Sequence, residues 1–222
     1  MSGHAGSHAQ GHLEMRLAET TRQLYDLGWM RGTSGNVSVR ASHEPARLLV
    51  SASGIAKHRT AAEHAVLTDD RGIAIEGQAH VPSAESKVHA AIIAEAGAGA
   101  VVHVHAMASV LAASRWPAGV RLRGIEQLKG LGLSAEGDGI VVPVVHNSQD
   151  MDDLSERIRR ALDPAIPVVL VADHGMYVWG TSLDDAANRT ESTDWLLQHA
   201  LLNDVLGNPA SAAQLDLGGT GR

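Results

Sequence analysis

The stretch AVVHVHAM, residues 100–107, places His103 and His105 two residues apart at the end of an apolar, β-branched run. Such runs are typical of buried strands, and side chains at i and i+2 point to the same face of a strand. Two imidazoles on one face at a strand end are suited to bind a metal ion. A half-buried strand whose polar face happened to carry histidine would show the same pattern. The pair is therefore a candidate site that the rest of the chain has to support.

A third imidazole, His174, directly follows the apolar stretch PVVLVAD (167–173) and precedes Gly175. Strand ends of α/β sheets are common ligand-binding positions. The chain has no cysteine, so any metal must be bound by histidine, carboxylate, carbonyl or water. Three histidines are the ligand set of a catalytic zinc site with one open position, although they also suit iron, cobalt or manganese. The sequence alone does not show that the three meet.

The composition bounds the class of protein. The chain has 222 residues, of which 44% are hydrophobic and 19% charged, as expected for one globular domain. With 18 Lys and Arg against 25 Asp and Glu, the net charge of −7 argues against a broad nucleic-acid surface but not against a small phosphate site. No apolar run is long enough to span a membrane, and the N-terminus lacks the apolar core of a signal peptide. We therefore expect a cytoplasmic protein with no membrane or nucleic-acid partner.

Periodicity along the chain predicts alternating strands and helices, and so an α/β fold whose central mixed sheet is covered by helices on both faces. Predicted helices cover 13–27, 82–97, 148–163 and the segment from Ser182 to about 206. A further short helix is predicted after the strand at 99–105, ending at about Arg115. Predicted strands lie within 32–40, 47–54, 73–77, 99–105, 139–145, 167–173 and 174–180. We expect a single domain over 12–207, with flexible tails at 1–11 and 208–222. The Gly and Ser content of 1–11 argues against a helix there, although His4, His8 and His12 have helical spacing.

Two loops have the character of anion holders. TSGNVSVR (33–40) and SASGIAKH (51–58) both combine hydroxyl side chains with glycine, whose neighbouring backbone N–H groups can face an oxyanion. Lys57 adds a positive charge, and Ser83 offers a hydroxyl at a predicted helix start. Each of these elements, taken singly, could equally be an ordinary turn or cap.

Two carboxylates are candidates for proton transfer. Glu85 lies in the first turn of the predicted helix 82–97, where it could also be a simple helix-start charge. Glu126 lies in GIEQLKG (124–130), where it could instead pair with Lys129 or Arg123.

Five motifs, GTSGNVSVR, SASG, PSAESKVH, VVHVHA and DHGMYVWG, occur in the order seen in the class II aldolase/adducin family. The chain resembles this family over about residues 13–206. The resemblance implies a three-layer α/β/α fold and one zinc ion per subunit on His103, His105 and His174. It implies phosphate contacts from Asn36, Ser53, Gly54 and Ser83, with Lys57 close by.

Within the family, LGWMRGTSGNVSVR, GIEQLKGL, VPVVHNSQDM and YVWG resemble a dehydratase branch. The resemblance implies that Glu126 takes the acid/base position where sugar-phosphate aldolases tend to carry tyrosine. Glu85 matches the acid/base glutamate of the aldolases. One departure is Ala84, because the aldolases usually have two hydroxyl residues before that glutamate, and alanine offers no hydroxyl for a phosphate contact.

The activity that the resemblance implies is zinc-dependent loss of water from 5-methylthioribulose 1-phosphate in methionine salvage, with Glu126 as the first choice for acid/base catalyst. An alternative is an aldolase of the fuculose- or ribulose-phosphate type that cleaves C3–C4. A non-catalytic, adducin-like module is disfavoured because this chain keeps all three histidines. The resemblance also suggests a homotetramer with sites near subunit interfaces.

Overall fold

The computed structural model describes the backbone of residues 3–207 and the side chains of residues 8–207. The strands are β1 (Asn36–His43), β2 (Ala46–Ser51), β3 (Ala65–Thr68), β4 (Ala100–Val104), β5 (Val120–Leu122), β6 (Ile140–Val142), β7 (Val144–Val145), β8 (Val168–Val171) and β9 (Gly175–Gly180). The helices are α1 (Gly3–Asp26), α2 (Ser86–Ala96), α3 (Met107–Arg115), α4 (Met151–Ala161) and α5 (Leu183–Val205), with short 3-10 helices at Lys57–Arg59, Ala62–His64 and Glu126–Leu131.

Seven strands form one sheet in the order β3-β2-β1-β4-β9-β8-β7, and β5 and β6 form a separate two-stranded ribbon. The pairs β1–β4 and β4–β9 are antiparallel, whereas β7–β8 is parallel. The predicted mixed sheet is confirmed. Its central strand is β4, the strand that carries His103.

Helices cover both faces of this sheet, as predicted. Along β4, Val102 and Val104 face a core built with α1, α3 and α5, whereas Val101 faces a second core built with α2 and α4. This alternation follows from the two-residue repeat of a strand. His103 lies on the same face as Val101 and therefore points towards the α2 and α4 side.

The register of the three central strands places polar residues side by side. His103 on β4 is opposite Asn36 on β1 and opposite Tyr177 on β9. Directly opposed residues in an antiparallel pair project on the same face. The fold thus brings an amide, an imidazole and a phenol together from distant parts of the sequence.

Two strand predictions differ from the structure. The predicted strand 73–77 makes one isolated bridge, Thr68 to Ala74, and the strand of this region is β3. Residues 73–77 lie outside β3, which is the edge of the sheet, and the turn glycines Gly72 and Gly77 have positive φ and bound the segment. The predicted strand 139–145 is divided at Pro143, which has no N–H to donate to a ladder, so β6 pairs with β5 and β7 joins the main sheet.

The helix boundaries contain one error and one shift. The argument from composition against a helix at 1–11 is wrong for residues 3–11, which belong to α1. A nucleated helix gains one hydrogen bond for each added residue, which offsets the unfavourable propensity of Gly and Ser. Helix α2 begins at Ser86 rather than Pro82, because residues 83–86 form a turn closed by the Ser86 N–H donating to the Ser83 carbonyl at 3.0 Å.

Other predicted boundaries are confirmed. Gly97 ends α2 with φ of 63°, and Ser182 caps α5 by accepting from the Asp185 N–H at 3.2 Å. The expected tail at 208–222 lies outside the described residues. None of the described helices combines the length and apolar character that a membrane crossing requires.

Candidate metal centre

His103, His105 and His174 meet at the end of β4. The Nε2 atom of His103 lies 3.0 Å from Nε2 of His105 and 3.2 Å from Nε2 of His174. The candidate ligand atoms of all three residues lie within 4.8 Å of one another. The hairpin between β8 and β9 positions His174, where Asp173 takes the left-handed conformation with φ of 56°. The structure therefore brings together the three imidazoles that the sequence nominated.

Hydrogen bonding fixes the tautomer of His103. Its Nδ1 lies 2.9 Å from the Met176 carbonyl, which can accept but cannot donate. Nδ1 of a neutral His103 therefore carries the proton, and Nε2 keeps a free lone pair that faces the other two imidazoles. A backbone carbonyl that orients a ligand histidine in this way is a recurrent feature of metal sites.

A carboxylate completes the cluster. The Oε2 atom of Glu85 lies 3.4 Å from Nε2 of His103, and Oε1 lies 3.2 Å from Nε2 of His174. Glu85 stands at the residue before α2, yet its side chain makes no capping hydrogen bond to that helix. Instead, its carboxylate accepts from Asn36 Nδ2 at 2.6 Å and from the Tyr177 hydroxyl at 3.0 Å. This arrangement argues against the interpretation of Glu85 as a simple helix-start charge.

The ionisation states suit a cation. Burial raises the pKa of Glu85, but attraction by His103, the hydrogen bond from Asn36 and further contacts from His174 and Tyr177 outweigh it and lower the pKa to about 2. Burial lowers the pKa of His103 to about 3 and also lowers the pKa of His105. At neutral pH the carboxylate is ionised and these two imidazoles are neutral, which are the states that bind metal.

The donor set fits a divalent metal ion. Three imidazole nitrogens, one with a tautomer that exposes Nε2, converge with a carboxylate in a partly enclosed pocket. Nitrogen and oxygen donors without thiolate suit zinc, and also iron, cobalt or manganese.

The cluster opens into a cavity of about 430 Å³. Its wall includes the two loops predicted to hold anions and the segment before α4; the lining residues comprise Thr33, Ser34, Gly35, Asn36, Ala52, Ser53, Gly54, Lys57, Ser83, Ala84, Glu85, His105, Ser148, Gln149, Met151 and His174. Every residue that the sequence nominated for phosphate contact therefore borders the same cavity as the candidate metal ligands.

Lys57 is the positive charge of this cavity. Its side chain is 2% exposed, and burial lowers its pKa to about 8, while attraction by Glu85 opposes the shift. Among the described residues its ammonium group has no hydrogen-bond or ion-pair partner. A buried ammonium group that borders a cavity without a protein partner is suited to bind an anion.

Asn36 and Ser83 interact with each other and with Glu85. Asn36 Nδ2 donates to Ser83 Oγ at 2.9 Å as well as to Glu85, and the Oδ1 atom of Asn36 is buried without a partner. Ser83 precedes α2 by three residues, so the expected placement at the helix start is wrong. Both residues border the cavity. Asn36 Nδ2 holds the Glu85 carboxylate, whereas Ser83 Oγ only accepts hydrogen bonds among the described residues, from Asn36 Nδ2 and the Glu85 N–H, so its hydroxyl proton stays available for a phosphate.

Glu126 lies apart from this cluster. Its side chain is 77% exposed and accepts from Lys129 Nζ at 2.5 Å, which is the ion pair considered as the alternative from the sequence. The 3-10 helix Glu126–Leu131 packs through buried Leu128 and Leu131 on the α5 side of the sheet, whereas His103 faces the α2 and α4 side. Within a single chain Glu126 therefore does not line the cavity of the candidate metal ligands, and its role in catalysis stays a prediction.

Two partners of the centre went unnoticed in the sequence. The Met176 carbonyl cannot be identified from residue type, and Tyr177 looks like an ordinary aromatic residue of a buried strand. Tyr177 could have been found from its position opposite His103 in the β4–β9 pair, but that position is known only once β4 and β9 are known to be neighbours.

Comparisons with known proteins agree with this geometry. Residues 15–201 match the sequence pattern of the family described as the class II aldolase and adducin N-terminal domain. Methylthioribulose-1-phosphate dehydratase of Bacillus cytotoxicus is 33% identical over 198 residues, which cover 89% of this chain and 93% of that protein. The enzyme of the same name from Bacillus thuringiensis subsp. konkukian is 32% identical over 198 residues, again 89% and 93% of the two chains.

A solved structure shares the fold. L-fuculose-1-phosphate aldolase from Thermus thermophilus superposes with a TM-score of 0.72 at 24% identity, covering 90% of this chain and 99% of that chain. The chain belongs to the class II aldolase/adducin family, as its motifs predicted. The two Bacillus relatives carry the name of a dehydratase, whereas the Thermus thermophilus structure carries the name of an aldolase.

Proposed function

We propose that this protein is a zinc-dependent hydro-lyase that converts 5-methylthioribulose 1-phosphate to 5-methylthio-2,3-dioxopentyl phosphate in the methionine salvage of the cytoplasm. The observation that carries the proposal is the convergence of three imidazoles and Glu85 in the cavity that Lys57 also borders. Relatives named methylthioribulose-1-phosphate dehydratase at 32–33% identity support the choice of substrate.

The loops with Ser53, Gly54 and Lys57 bind the phosphate on C1, with Asn36 and Ser83 at the edge of the same wall. Binding energy at a remote phosphate orients the reacting carbons, so it contributes to the rate as well as to affinity. The three histidines hold the ion, which supplies Lewis-acid stabilisation of the charge that develops on the C2 oxygen.

Glu85 is the carboxylate that this chain itself provides at the centre. We assign it the role of the base that removes the proton from C3, which the adjacent C2 carbonyl makes acidic. The C4 hydroxyl then leaves with a proton as water, and the C3 enol that remains takes a proton at C4 to give the 2,3-diketone. One molecule of water is lost and no oxidant or reductant is required.

Glu126 keeps a role in this proposal through assembly. Its exposed position is compatible with a site that a second copy of the chain completes, as the proposed homotetramer would allow. In that arrangement Glu126 delivers the proton to the departing C4 hydroxyl. A small-molecule sugar phosphate is then the sole partner apart from further copies of the chain.

An aldolase that cleaves C3–C4 is the second candidate. It is favoured by Glu85, which occupies the position of the aldolase acid/base residue and lies beside the three histidines, while Glu126 does not. A non-catalytic module is disfavoured by a centre in which hydrogen bonds hold His103 and Glu85 in place, and by a cavity that a buried ammonium group borders.

Product analysis separates these functions. Purified protein loaded with zinc is incubated with 5-methylthioribulose 1-phosphate, and the products are identified by NMR. The dehydratase gives the diketo phosphate, the aldolase gives dihydroxyacetone phosphate, and a binding module gives neither. Formation of dihydroxyacetone phosphate without the diketone would contradict the proposal.

A further inference from the structure

Tyr177 is a fully buried phenol in the YVWG segment, and it touches two members of the candidate metal centre. Its ring stacks on the His103 imidazole with centroids 4.1 Å apart and planes inclined by 16°. Its hydroxyl donates to Glu85 Oε1 at 3.0 Å. One side chain thus restrains both a ring and a carboxylate that face the same point.

The hydrogen bond leaves little freedom to Glu85. Tyr177 holds Oε1 and Asn36 Nδ2 holds Oε2, so each oxygen has one donor outside the centre. With both oxygens held, the carboxylate stays beside the imidazoles, 3.2 Å from His174 Nε2 and 3.4 Å from His103 Nε2.

The stack has a second consequence. Rotation of the His103 ring is already limited by the bond between Nδ1 and the Met176 carbonyl. The parallel phenol covers one face of the imidazole and opposes tilting about that bond. The His89 ring packs edge-on against the phenol at 5.7 Å, and Tyr177 therefore has little space to move away.

We propose that Tyr177 is a positioning residue of the metal centre, which holds the Glu85 carboxylate through its hydroxyl and the His103 imidazole through its ring. The inference rests on the proposed metal site. A negative charge beside the ion strengthens binding whether or not it ligates directly, so zinc affinity reports the position of the carboxylate. Residues that orient metal ligands typically account for about 10- to 100-fold in affinity.

Two substitutions separate the two contacts. Tyr177→Phe keeps the ring and removes the hydroxyl, and it should weaken zinc binding about 10-fold. Because the hydroxyl acts through Glu85, the same change in a Glu85→Gln background should weaken binding less than about 2-fold further. Tyr177→Leu removes the ring as well and should weaken binding in both backgrounds.

The experiment measures zinc affinity of the metal-free, full-length protein by competition with a chromophoric chelator, alongside the melting temperature. Trp179→Phe is the matched control, since Trp179 lies two residues along the same strand in the same core. It should lower the melting temperature and leave zinc affinity unchanged.

Unchanged zinc affinity in folded Tyr177→Phe would overturn the hydroxyl contact, and equal losses in the two Glu85 backgrounds would show that it does not act through Glu85. Unchanged affinity in Tyr177→Leu would overturn the ring contact. Failure of the unaltered protein to bind zinc would instead overturn the metal site itself, so the two failures are distinguishable.

Discussion

Lys57 illustrates how burial sets the behaviour of a single residue. An ordinary lysine stays charged up to about pH 10.4, but burial lowers the pKa of Lys57 to about 8. Below pH 8 the ammonium is charged and, in the proposed function, should bind the phosphate, whereas above pH 8 the neutral amine should not. Since kcat/KM reports the free enzyme, we expect kcat/KM for the phosphorylated substrate to fall as the pH rises through about 8.

The control for this prediction is Lys57→Met, which should lower kcat/KM and abolish the decline near pH 8. The dephosphorylated sugar should be a poor substrate with no such decline. A profile for the unaltered protein that stays flat until pH 10 would contradict the assignment of Lys57 to the phosphate.

The two candidate carboxylates differ in surroundings and can be separated by substitution. Glu85 is clamped beside the imidazoles, whereas Glu126 is exposed and pairs with Lys129. Glutamine matches glutamate in size but cannot exchange a proton, and general acid–base catalysis is typically worth about 10²–10⁴-fold. We expect Glu85→Gln to lower kcat by that factor, and Glu126→Gln to do the same if a second copy of the chain completes the site.

Steady-state rates with zinc present decide between the assignments. Lys129→Met is the matched control for Glu126, because it breaks the same ion pair without removing the carboxylate. If Glu85→Gln abolished turnover while Glu126→Gln did not, the site would be arranged as in an aldolase.

The three histidines show what residue patterns can predict at this scale. Their side-chain type and their positions at strand ends were sufficient to nominate them, because few other roles combine the two. The partners that orient them were not accessible, since Tyr177 is identical in pattern to a packing residue and becomes informative only through its neighbours across the sheet.

At the scale of the elements, the local sequence pattern identified most strands. It failed where pairing with a neighbouring strand decides which segment joins the sheet. Residues 73–77 alternate like a strand but lie beyond the edge of the sheet and make a single bridge. Residues 65–68 form β3 because β2 offers a free edge, which the sequence does not reveal. Pro143 could have indicated the division between β6 and β7 from its missing N–H alone.

Helix α1 provides a prediction about an element. Gly11 lies inside the helix, and a Cβ added there would contact nothing within 4 Å. Alanine is favoured over glycine in a helix interior by about 1 kcal/mol, so Gly11→Ala should stabilise the protein by up to that amount. Chemical denaturation of the two proteins measures the difference.

An unchanged free energy of unfolding would indicate that residues near Gly11 behave as a tail in solution. Gly175→Ala is the opposite case, because the added Cβ would lie 2.2 Å from the Val104 carbonyl oxygen. This substitution should lower the free energy of unfolding by disturbing the pairing of β4 with β9.

At the scale of the whole molecule, alternation of strands and helices was enough to predict a mixed sheet between two helical layers, because each layer buries the apolar face of the next. Assembly is a different matter, since exposed residues such as Glu126 give no signal of what covers them. The proposed tetramer therefore rests on the family and on the need to bring Glu126 to a site.

Subunit mixing tests that need directly. His103→Ala and Glu126→Gln should each be inactive alone, the first without its ion and the second without its acid. The two variants are mixed in equal amounts under conditions that allow subunits to exchange. Random assembly should then place an intact His103 beside an intact Glu126 in about a quarter of the sites and restore a corresponding share of activity. Mixtures that stay inactive after verified exchange would restrict the site to one chain.

The central claim is that His103, His105, His174 and Glu85 form one metal centre that carries the reaction. The measurement that tests it most directly is a zinc titration of the metal-free protein, followed by the rate of diketo phosphate formation, with metal-free His103→Ala beside it. The rate should rise linearly to about one zinc per chain and then stay constant, and His103→Ala should remain inactive throughout. Full activity in the metal-free protein, or activation of His103→Ala by the same equivalent of zinc, would contradict the claim.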